Sequence, residues 1–563
     1  MRIGIVISVI LIIFQFASYS QIVLDEDFGE WKSLPILHAD PIDANFGLEF
    51  TNIKVSNDEE FIYFLLYVGS EINLQDNNNL EIYLDTDADP NTGFLINGIG
   101  ADLRYFPGQR FGFLTINNIN YEVRHDQSGW VNSPTVTSNI FEFCLSRSIF
   151  TKGRLLEMQD QIQLFLRNGP TGDILPNQGV LSYQFDNEIE QAQNPFSIRK
   201  LDNEDLRILT YNALRDRIFT STSAQNSFRN ILRATQPDII CFQEIYDHSA
   251  QEVADLMDEW IPLDNSNTWS SAQEGPDIIT LSKYPIIGSQ NIGTNGAFKI
   301  QYDDQAILVV NAHLPCCDNE DRRQFEVDQI LEYIRESKNG NAILNVTDKT
   351  PIIICGDMNF VGEAQQPTSL RDGNIINEDI FGDDLLPDWD GSEFKDAKPI
   401  TTGRPFTFSW NNPSSSFSAG RLDYIIYTGS VLKLKNAYNL YTPSLSFQDL
   451  DNFRLNAIDT DNASDHLPGV ADFEIGEFTS TNDLSISNLK VWPNPGSGIF
   501  NFDLSNSGFL SSIFVYDIYG REVLRLTSSS NVVDLSSLDN GIYNLKLMRD
   551  NFYYNARILK LNE

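Results

Sequence analysis

Amides, carboxylates and imidazoles stand where apolar runs begin or end in the middle of this 563-residue chain. Asn212 follows Arg207-Ile208-Leu209-Thr210-Tyr211, and Gln243-Glu244 follow Asp238-Ile239-Ile240-Cys241-Phe242. Asn311 and His313 follow the run 306–310, and Gly356-Asp357-Met358-Asn359 follows the run 351–355. Asp423 opens the run 424–427, and Ser464-Asp465-His466 precede the run 467–470. A carboxylate holds a hard cation or takes a proton, an imidazole donates to an oxyanion, and an amide orients either of them. Each position alone has an ordinary explanation, since Asp, Asn and Gly are turn residues. Six strand ends in succession exceed what turn chemistry requires.

The apolar runs are the elements that must position these groups. Continuous apolar strands, with 277–281 as a further example, imply sheets covered on both faces. Between them, Val253, Leu256, Met257 and Trp260 recur at helical spacing, as do Val327, Ile330, Leu331 and Ile334. The reading for residues 205–475 is α/β, with two packed sheets flanked by helices as a four-layer sandwich. With antiparallel neighbours, the end of one strand and the start of the next share an edge, so the six groups can converge.

In this order the motifs resemble the endonuclease/exonuclease/phosphatase superfamily, which spans deoxyribonucleases, abasic-site endonucleases, neutral sphingomyelinases and inositol phosphatases. The resemblance implies cleavage of a phosphoester by water, helped by charge stabilisation at phosphorus. It implies a divalent cation, Mg2+ with Mn2+ or Ca2+ as substitutes, on Glu244 supported by Asn212 and Asp465. Asp357 would orient and deprotonate the water, and Asn359 would hold it or a phosphoryl oxygen. His313 and His466 would donate to the phosphoryl group, with Asp423 holding His466 in one tautomer. A carboxylate partner for His313 is expected at Glu274 or Asp277. Trp410 is placed either in the substrate pocket or in the core.

Charge narrows the substrate. The chain carries 39 basic and 78 acidic side chains, a formal charge of −39. Residues 205–475 hold 20 Lys and Arg against 41 Asp and Glu. No basic stripe marks a groove for reading duplex DNA, which relies on Lys and Arg at the phosphates. An extracellular nuclease or general phosphodiesterase acting on nucleic acid or a small phosphodiester ranks first. A phosphomonoesterase or sphingomyelinase-like phospholipase ranks second, and a non-catalytic surface adhesin that binds glycans ranks third.

The flanks carry addresses. Arg2, the apolar run 3–14 and small residues before Gln21 fit a signal peptide over 1–20. Residues 24–197 alternate short β-type runs with polar turns, predicting a β-sandwich that loosely resembles carbohydrate-binding modules, with a glycan as partner. Within it, Asp85, Asp87, Asp89 and Asn91 alternate in a spacing that could wrap calcium, a solvated acidic turn being the plain alternative. Residues 484–563 read as a small β-sandwich. Their motifs, including Trp492-Pro493-Asn494-Pro495 and Asn540-Gly541-Ile542-Tyr543, resemble the type IX secretion sorting domain. That resemblance implies the type IX machinery as a partner, and secretion or display at the surface of a Gram-negative cell. Five cysteines are too few for a disulfide scaffold. Cys144, Cys241 and Cys355 read as buried thiols, and Cys316-Cys317 as a loop pair that could bridge.

Overall fold

The computed structural model describes residues 22–43, 47–170, 172–189, 196–264 and 267–478. Beyond these it describes 487–488, 491–502, 512–516, 522–526, 532–538, 540–549 and 552–561. The leader at 1–20 and residues 517–521 of the sorting domain lie outside the described residues. The protein is mostly β-sheet with few helices, and it divides into two compact units, Met1–Phe478 and Thr479–Glu563. Residues 24–197 and 205–475, read from sequence as separate domains, thus fall in one compact unit.

In the first part of that unit, five antiparallel strands run in the order His38–Ala39, Phe50–Asn57, Phe61–Ile72, Ser138–Ser146 and Val131–Ser133. A seven-stranded sheet is built around Gln161–Asn168, Leu80–Asp85, Leu103–Phe106 and Phe111–Ile116. Phe50, Ile53, Phe64 and Leu66 from the first share one core with Ile82, Leu84, Leu103 and Leu164 from the second. Alternation puts these side chains on the inner face, and a register shift between Phe50 and Asn52 brings Phe50 to the same face as Ile53.

The second part holds two more sheets. Seven strands run in the order Ser270–Glu274, Ile278–Ser282, Ile239–Gln243, Leu206–Asn212, Gly469–Ile475, Leu432–Asn439 and Ile400–Thr401. Six run in the order Ile286–Ile292, Asn295–Tyr302, Gln305–His313, Ile352–Asp357, Asp423–Tyr427 and Lys395–Asp396. Ile208, Ile239 and Cys241 of the first sheet pack with Val309, Ile353, Cys355 and Ile425 of the second. The opposite faces of these strands are covered by helices. Phe228, Ile231 and Leu232 of Thr222–Thr235 and Val253 and Met257 of Ala250–Trp260 lie on Leu209 and Ile240. Val327, Ile330, Leu331 and Ile334 of Glu320–Asn339 lie on Leu308, Val310 and Ile354. Covering both faces explains why these strands read as unbroken apolar runs.

Two buried polar contacts lock this arrangement. Asn311 sends its amide to Phe242 O, Ile279 O and Thr280 Oγ1 at 3.2 Å each, and its Oδ1 accepts from Gln243 Nε2 at 2.7 Å. These two residues, read from sequence among the strand-end polar motifs, thereby bridge the two sheets. Arg207 and Asp472, register partners on adjacent strands and both fully buried, form a bidentate pair at 2.6 and 2.7 Å.

The segment 22–34 straps the two parts together. Leu24 N donates to Pro405 O at 2.9 Å, and Thr407 Oγ1 donates to Leu24 O at 3.2 Å. The buried Glu142 carboxylate accepts the Asp25 and Glu26 N–H groups at 2.9 and 2.8 Å and Trp31 Nε1 at 3.0 Å. Ile22, Leu24 and Trp31 share a core with Phe61, Tyr63, Phe406, Phe408 and Leu467.

In the second unit, Phe552–Lys560, Gly541–Arg549, Ser512–Tyr516 and Glu522–Leu526 are neighbours in one sheet, and Val491–Trp492, Ile499–Phe502 and Val532–Asp534 form another. Phe500, Phe502, Ile513, Val515 and Ile558 share its core. All five cysteines are free thiols, with Cys144, Cys241 and Cys355 buried and Cys316 and Cys317 exposed.

Candidate active site

The register of the strands brings the sequence motifs to one edge. His313 is the partner of Asp357, and Asp357 is the partner of Asp423, across three adjacent strands of the six-stranded sheet. In the facing sheet Asn212 is the partner of Gln243, immediately before Glu244. Gly356 is needed where the strands run parallel, because a Cβ there would lie 1.9 Å from Ala312 O. Glu244 and Asn359 hold left-handed backbone at φ 61° and 49°, as do Leu214, Arg215 and Asp216 in succession. Non-glycine residues in that region mark places where the fold imposes a local cost, and such places cluster at functional sites.

Asp357 is the centre of the constellation. Its Oδ2 accepts Asn212 Nδ2 at 3.0 Å, and its Oδ1 accepts the Asn359 N–H at 3.2 Å. His313 Nε2 lies 3.7 Å from that Oδ2, and His466 Nε2 lies 3.6 Å from it. Both separations exceed hydrogen-bond length. Each imidazole is anchored through its other nitrogen: His313 Nδ1 to Asp277 Oδ2 at 2.6 Å, and His466 Nδ1 to Asp423 Oδ2 at 2.8 Å. Of the two carboxylates expected for His313, the structure selects Asp277 and not Glu274.

Burial would lower both histidines, but the surrounding carboxylates outweigh it. The Asp277 hydrogen bond with the Asp357 and Glu244 charges holds His313 up at about 9. The Asp423 and Asp357 charges hold His466 at about 10. Burial pushes the Asp423 carboxyl upward, and the His466 charge offsets this only in part. The carboxylates thus favour the charged form of both imidazoles, and each Nε2 is turned toward Asp357.

Glu244 stands beside this pair of dyads. Its Oε1 accepts Asn212 Nδ2 at 3.1 Å, its Oε2 accepts the Arg215 N–H at 2.9 Å, and its side chain is 18% exposed. Asn212, expected as a metal ligand, braces Glu244 against Asp357 with its Nδ2, while its Oδ1 accepts the Leu214 N–H at 2.9 Å. Asp465 accepts from Trp410 Nε1 at 3.2 Å and from Asn412 Nδ2 at 3.3 Å. Its Oδ1 is buried without a hydrogen-bond partner. Trp410 is thus a partly exposed wall residue.

Three supports escaped the sequence reading. Asn295 Oδ1 accepts the His313 N–H at 2.8 Å, Ser409 Oγ accepts the Asp423 N–H at 2.8 Å, and Ser464 Oγ accepts the His466 N–H at 3.1 Å. Ser464 was visible beside His466, whereas Asn295 and Ser409 lie in segments with no apolar run ending at them.

A divalent cation suits this donor set. Glu244, Asp277, Asp357, Asp423 and Asp465 give five carboxylates against two imidazolium groups. Among the described residues no Lys or Arg is ion-paired with any of the five. Oxygen donors in acidic excess, with Asp423 Oδ1 and Asp465 Oδ1 both buried and unpartnered, are what a hard cation requires.

Two packed sheets thus deliver carboxylate-anchored imidazoles and an acidic cluster to one edge. Residues 209–466 match the model of the endonuclease/exonuclease/phosphatase family, and residues 490–560 match that of the secretion system C-terminal sorting domain. The chain therefore carries a catalytic-type domain of that family joined to a sorting tail of the type IX secretion system. Solved structures similar to it include D. rerio TDP2 complexed with single-strand DNA product, at 14% identity and a TM-score of 0.32, covering 48% of this chain and 100% of that one. ANGEL2, a 2′,3′-cyclic phosphatase, is similar at 18% identity and a TM-score of 0.33, covering 48% of this chain and 95% of that one. The human Nocturnin catalytic domain with bound sulfate is similar at 18% identity and a TM-score of 0.29, covering 48% and 95%. No curated protein matches the chain. The two family matches leave the first sheets uncovered, and the expected glycan partner draws no support from them. Among the described residues no helix is long and apolar enough to cross a membrane.

Proposed function

We propose that residues 205–475, a four-layer sandwich by our reading, form an exported divalent-metal-dependent phosphodiesterase acting on nucleic acid or a small phosphodiester. The observation that carries this reading is the placement of two anchored imidazoles 3.7 and 3.6 Å from one Asp357 oxygen. The space they flank suits a phosphoryl oxygen, which each Nε2–H would meet at hydrogen-bond length. Those contacts strengthen as negative charge develops in the transition state. Asp357, oriented by Asn212 and Asn359, takes the proton of the attacking water. Glu244 and Asp465 would hold the cation, which when bound supplies charge stabilisation at the phosphoryl oxygens. Asp277 and Asp423 fix the orientation of the two imidazolium rings and favour their charge, and Asn212 fixes the spacing between Glu244 and Asp357. The formal charge of −39 disfavours sequence-reading binding of duplex DNA, which relies on Lys and Arg at the phosphates.

The test is an assay of the full chain on plasmid DNA, RNA, sphingomyelin and a chromogenic phosphodiester, with magnesium and with chelator. Cleavage of a nucleic acid or of the chromogenic diester should require the cation. Glu244→Gln should lower turnover by orders of magnitude without changing Tm. Full activity in excess chelator overturns the metal-dependent mechanism, and cleavage of sphingomyelin alone overturns the substrate class.

A further inference from the structure

Outside the catalytic cleft, unbalanced negative charge gathers where strand Leu80–Asp85 leaves the seven-stranded sheet of the first part. Carboxylate oxygens of Asp85, Asp87 and Asp102 all lie within 4.8 Å of one another. Asp102 belongs to this group because it precedes Leu103, the register partner of Leu84. Two residues expected from the alternating pattern do not belong. Asp89 Oδ1 accepts both the N–H and the Nδ2 of Asn91, at 2.9 and 2.7 Å, so that pair closes on itself.

A second observation comes from Asp85 itself. The residue is 0% exposed. Its Oδ2 accepts the Gly100 N–H at 3.1 Å, while its Oδ1 is buried with no hydrogen-bond partner. The Asp87 N–H and side chain lie close to this carboxylate, but neither meets hydrogen-bond geometry at Oδ1. Asp102 Oδ2 accepts both Thr86 N and Thr86 Oγ1 at 2.9 Å, which holds the third carboxylate against the other two. Burial first, and then the neighbouring Asp87 carboxyl through hydrogen bonding and charge, raise the Asp85 carboxyl above its usual range, and burial raises Asp102 to about 6. Among the described residues no Lys, Arg or His is ion-paired with any of the three.

The backbone keeps the carboxylates together. A Cβ at Gly100 would lie 2.0 Å from Thr92 O, so the turn after Asp87 is folded tightly onto the hairpin of Phe94–Ile96 and Ile99–Ala101. Thr92 Oγ1 ties that turn to Asp87 Oδ1 at 3.0 Å. Like charges at this spacing repel, and a buried carboxylate oxygen with no donor has lost its water without replacement. Calcium accepts irregular oxygen shells at about 2.4 Å, so ligands on opposite sides of one ion stand about 4.8 Å apart. The exposed Asp87 leaves a path from solvent.

The geometry points to a calcium ion held by Asp85, Asp87 and Asp102, which fastens the 86–101 loop and hairpin to the sheet. The site is structural and separate from the phosphoesterase centre. The test strips the full chain with chelator and measures calcium binding by equilibrium dialysis and Tm by thermal denaturation. The parent is compared with Asp87→Ala, Asp85→Asn and Glu244→Gln. The exposed Asp87→Ala change should lose one bound calcium per chain and the calcium-induced rise in Tm, while keeping the parent rate on a small phosphodiester in magnesium. Asp85→Asn should behave alike, and Glu244→Gln should keep the rise in Tm. Equal stoichiometry and an equal Tm response in Asp87→Ala and the parent would overturn the site, leaving a proton shared between Asp85 and Asp87. An equal response to magnesium would overturn the assignment to calcium.

Discussion

In the proposed mechanism the Asp423–His466 pair is where single residues bear most directly on turnover. Asp423→Asn keeps the shape and removes the charge that favours imidazolium. It should lower kcat by roughly 10²–10⁴ with a modest change in KM, because the Nε2–H contact gains strength in the transition state. Adding His466→Ala should cost little beyond His466→Ala alone, since members of one unit are non-additive. Steady-state kinetics on the four variants checks both statements. The same pair sets a pH dependence of stability in the metal-free protein. The His466 value is raised from 6.5 unfolded to about 10 folded, so its stabilisation is complete below about pH 6.5 and is lost as pH rises toward 10. Urea midpoints in chelator should fall across that window in the parent and fall less in His466→Ala. The residues themselves were largely legible. Each catalytic-type group ended or began an apolar run, because a strand end is where a sheet stops covering its own side chains. Asp277 was visible only as one of two choices, since nothing local distinguishes it from Glu274.

At the scale of elements, the strands of residues 205–475 declared themselves by apolar runs, and their helices by stripes at helical spacing. What the pattern did not carry was which polar residues would cross between layers. Gln243 and Asn311 looked like members of the active edge, yet they join in the interior between the sheets. Arg207 opened an apolar strand with no hint of its partner 265 positions away. Both ends of that pair are fully buried, so removing one leaves an unpaired interior charge. Asp472→Ala should therefore destabilise the unit by about 3–5 kcal/mol. Denaturant unfolding is the measurement, and the rate per folded molecule should stay near that of the parent, because neither residue reaches the cleft.

For the whole molecule, the first sheets act as a mould for two loops of the site. Thr135 Oγ1 donates to Phe360 O at 2.9 Å, and Thr137 N to Gly362 O at 2.7 Å, one to three residues beyond Asn359. On the other wall, His125 Nε2 meets Ser415 O at 2.9 Å, Gln75 Oε1 accepts Ser418 N at 2.9 Å, and the Arg110 guanidinium stacks 4.0 Å from the Phe417 ring. That wall carries Trp410 and Asn412, which fix Asp465. Removal of residues 22–189 should lower turnover even on small soluble phosphodiesters, by ten-fold or more for a displacement of the order of 1 Å. A folded fragment of residues 196–478 with the full rate, checked by circular dichroism and kinetics, would refute this. The dependence was illegible in sequence, where a change from alternating to continuous apolar pattern near residue 200 reads as a boundary between independent bodies.

The strap that pairs Leu24 with Phe406 also sets a clock. Its hydrogen bond from Thr407 spans 383 positions of the chain. At a synthesis rate of about 5–20 residues per second, Leu24 waits roughly 20–80 s before its partner strand exists. Through that interval Ile22, Leu24 and Trp31 lack part of the surface that buries them, and the first sheets cannot reach their final packing alone. Closing so long a loop is slow in any case, because its entropy is lost before its contacts form. A holdase or export factor that reads extended apolar segments thus has its window at this end of the chain, and the window shuts only when the residues around 406 arrive.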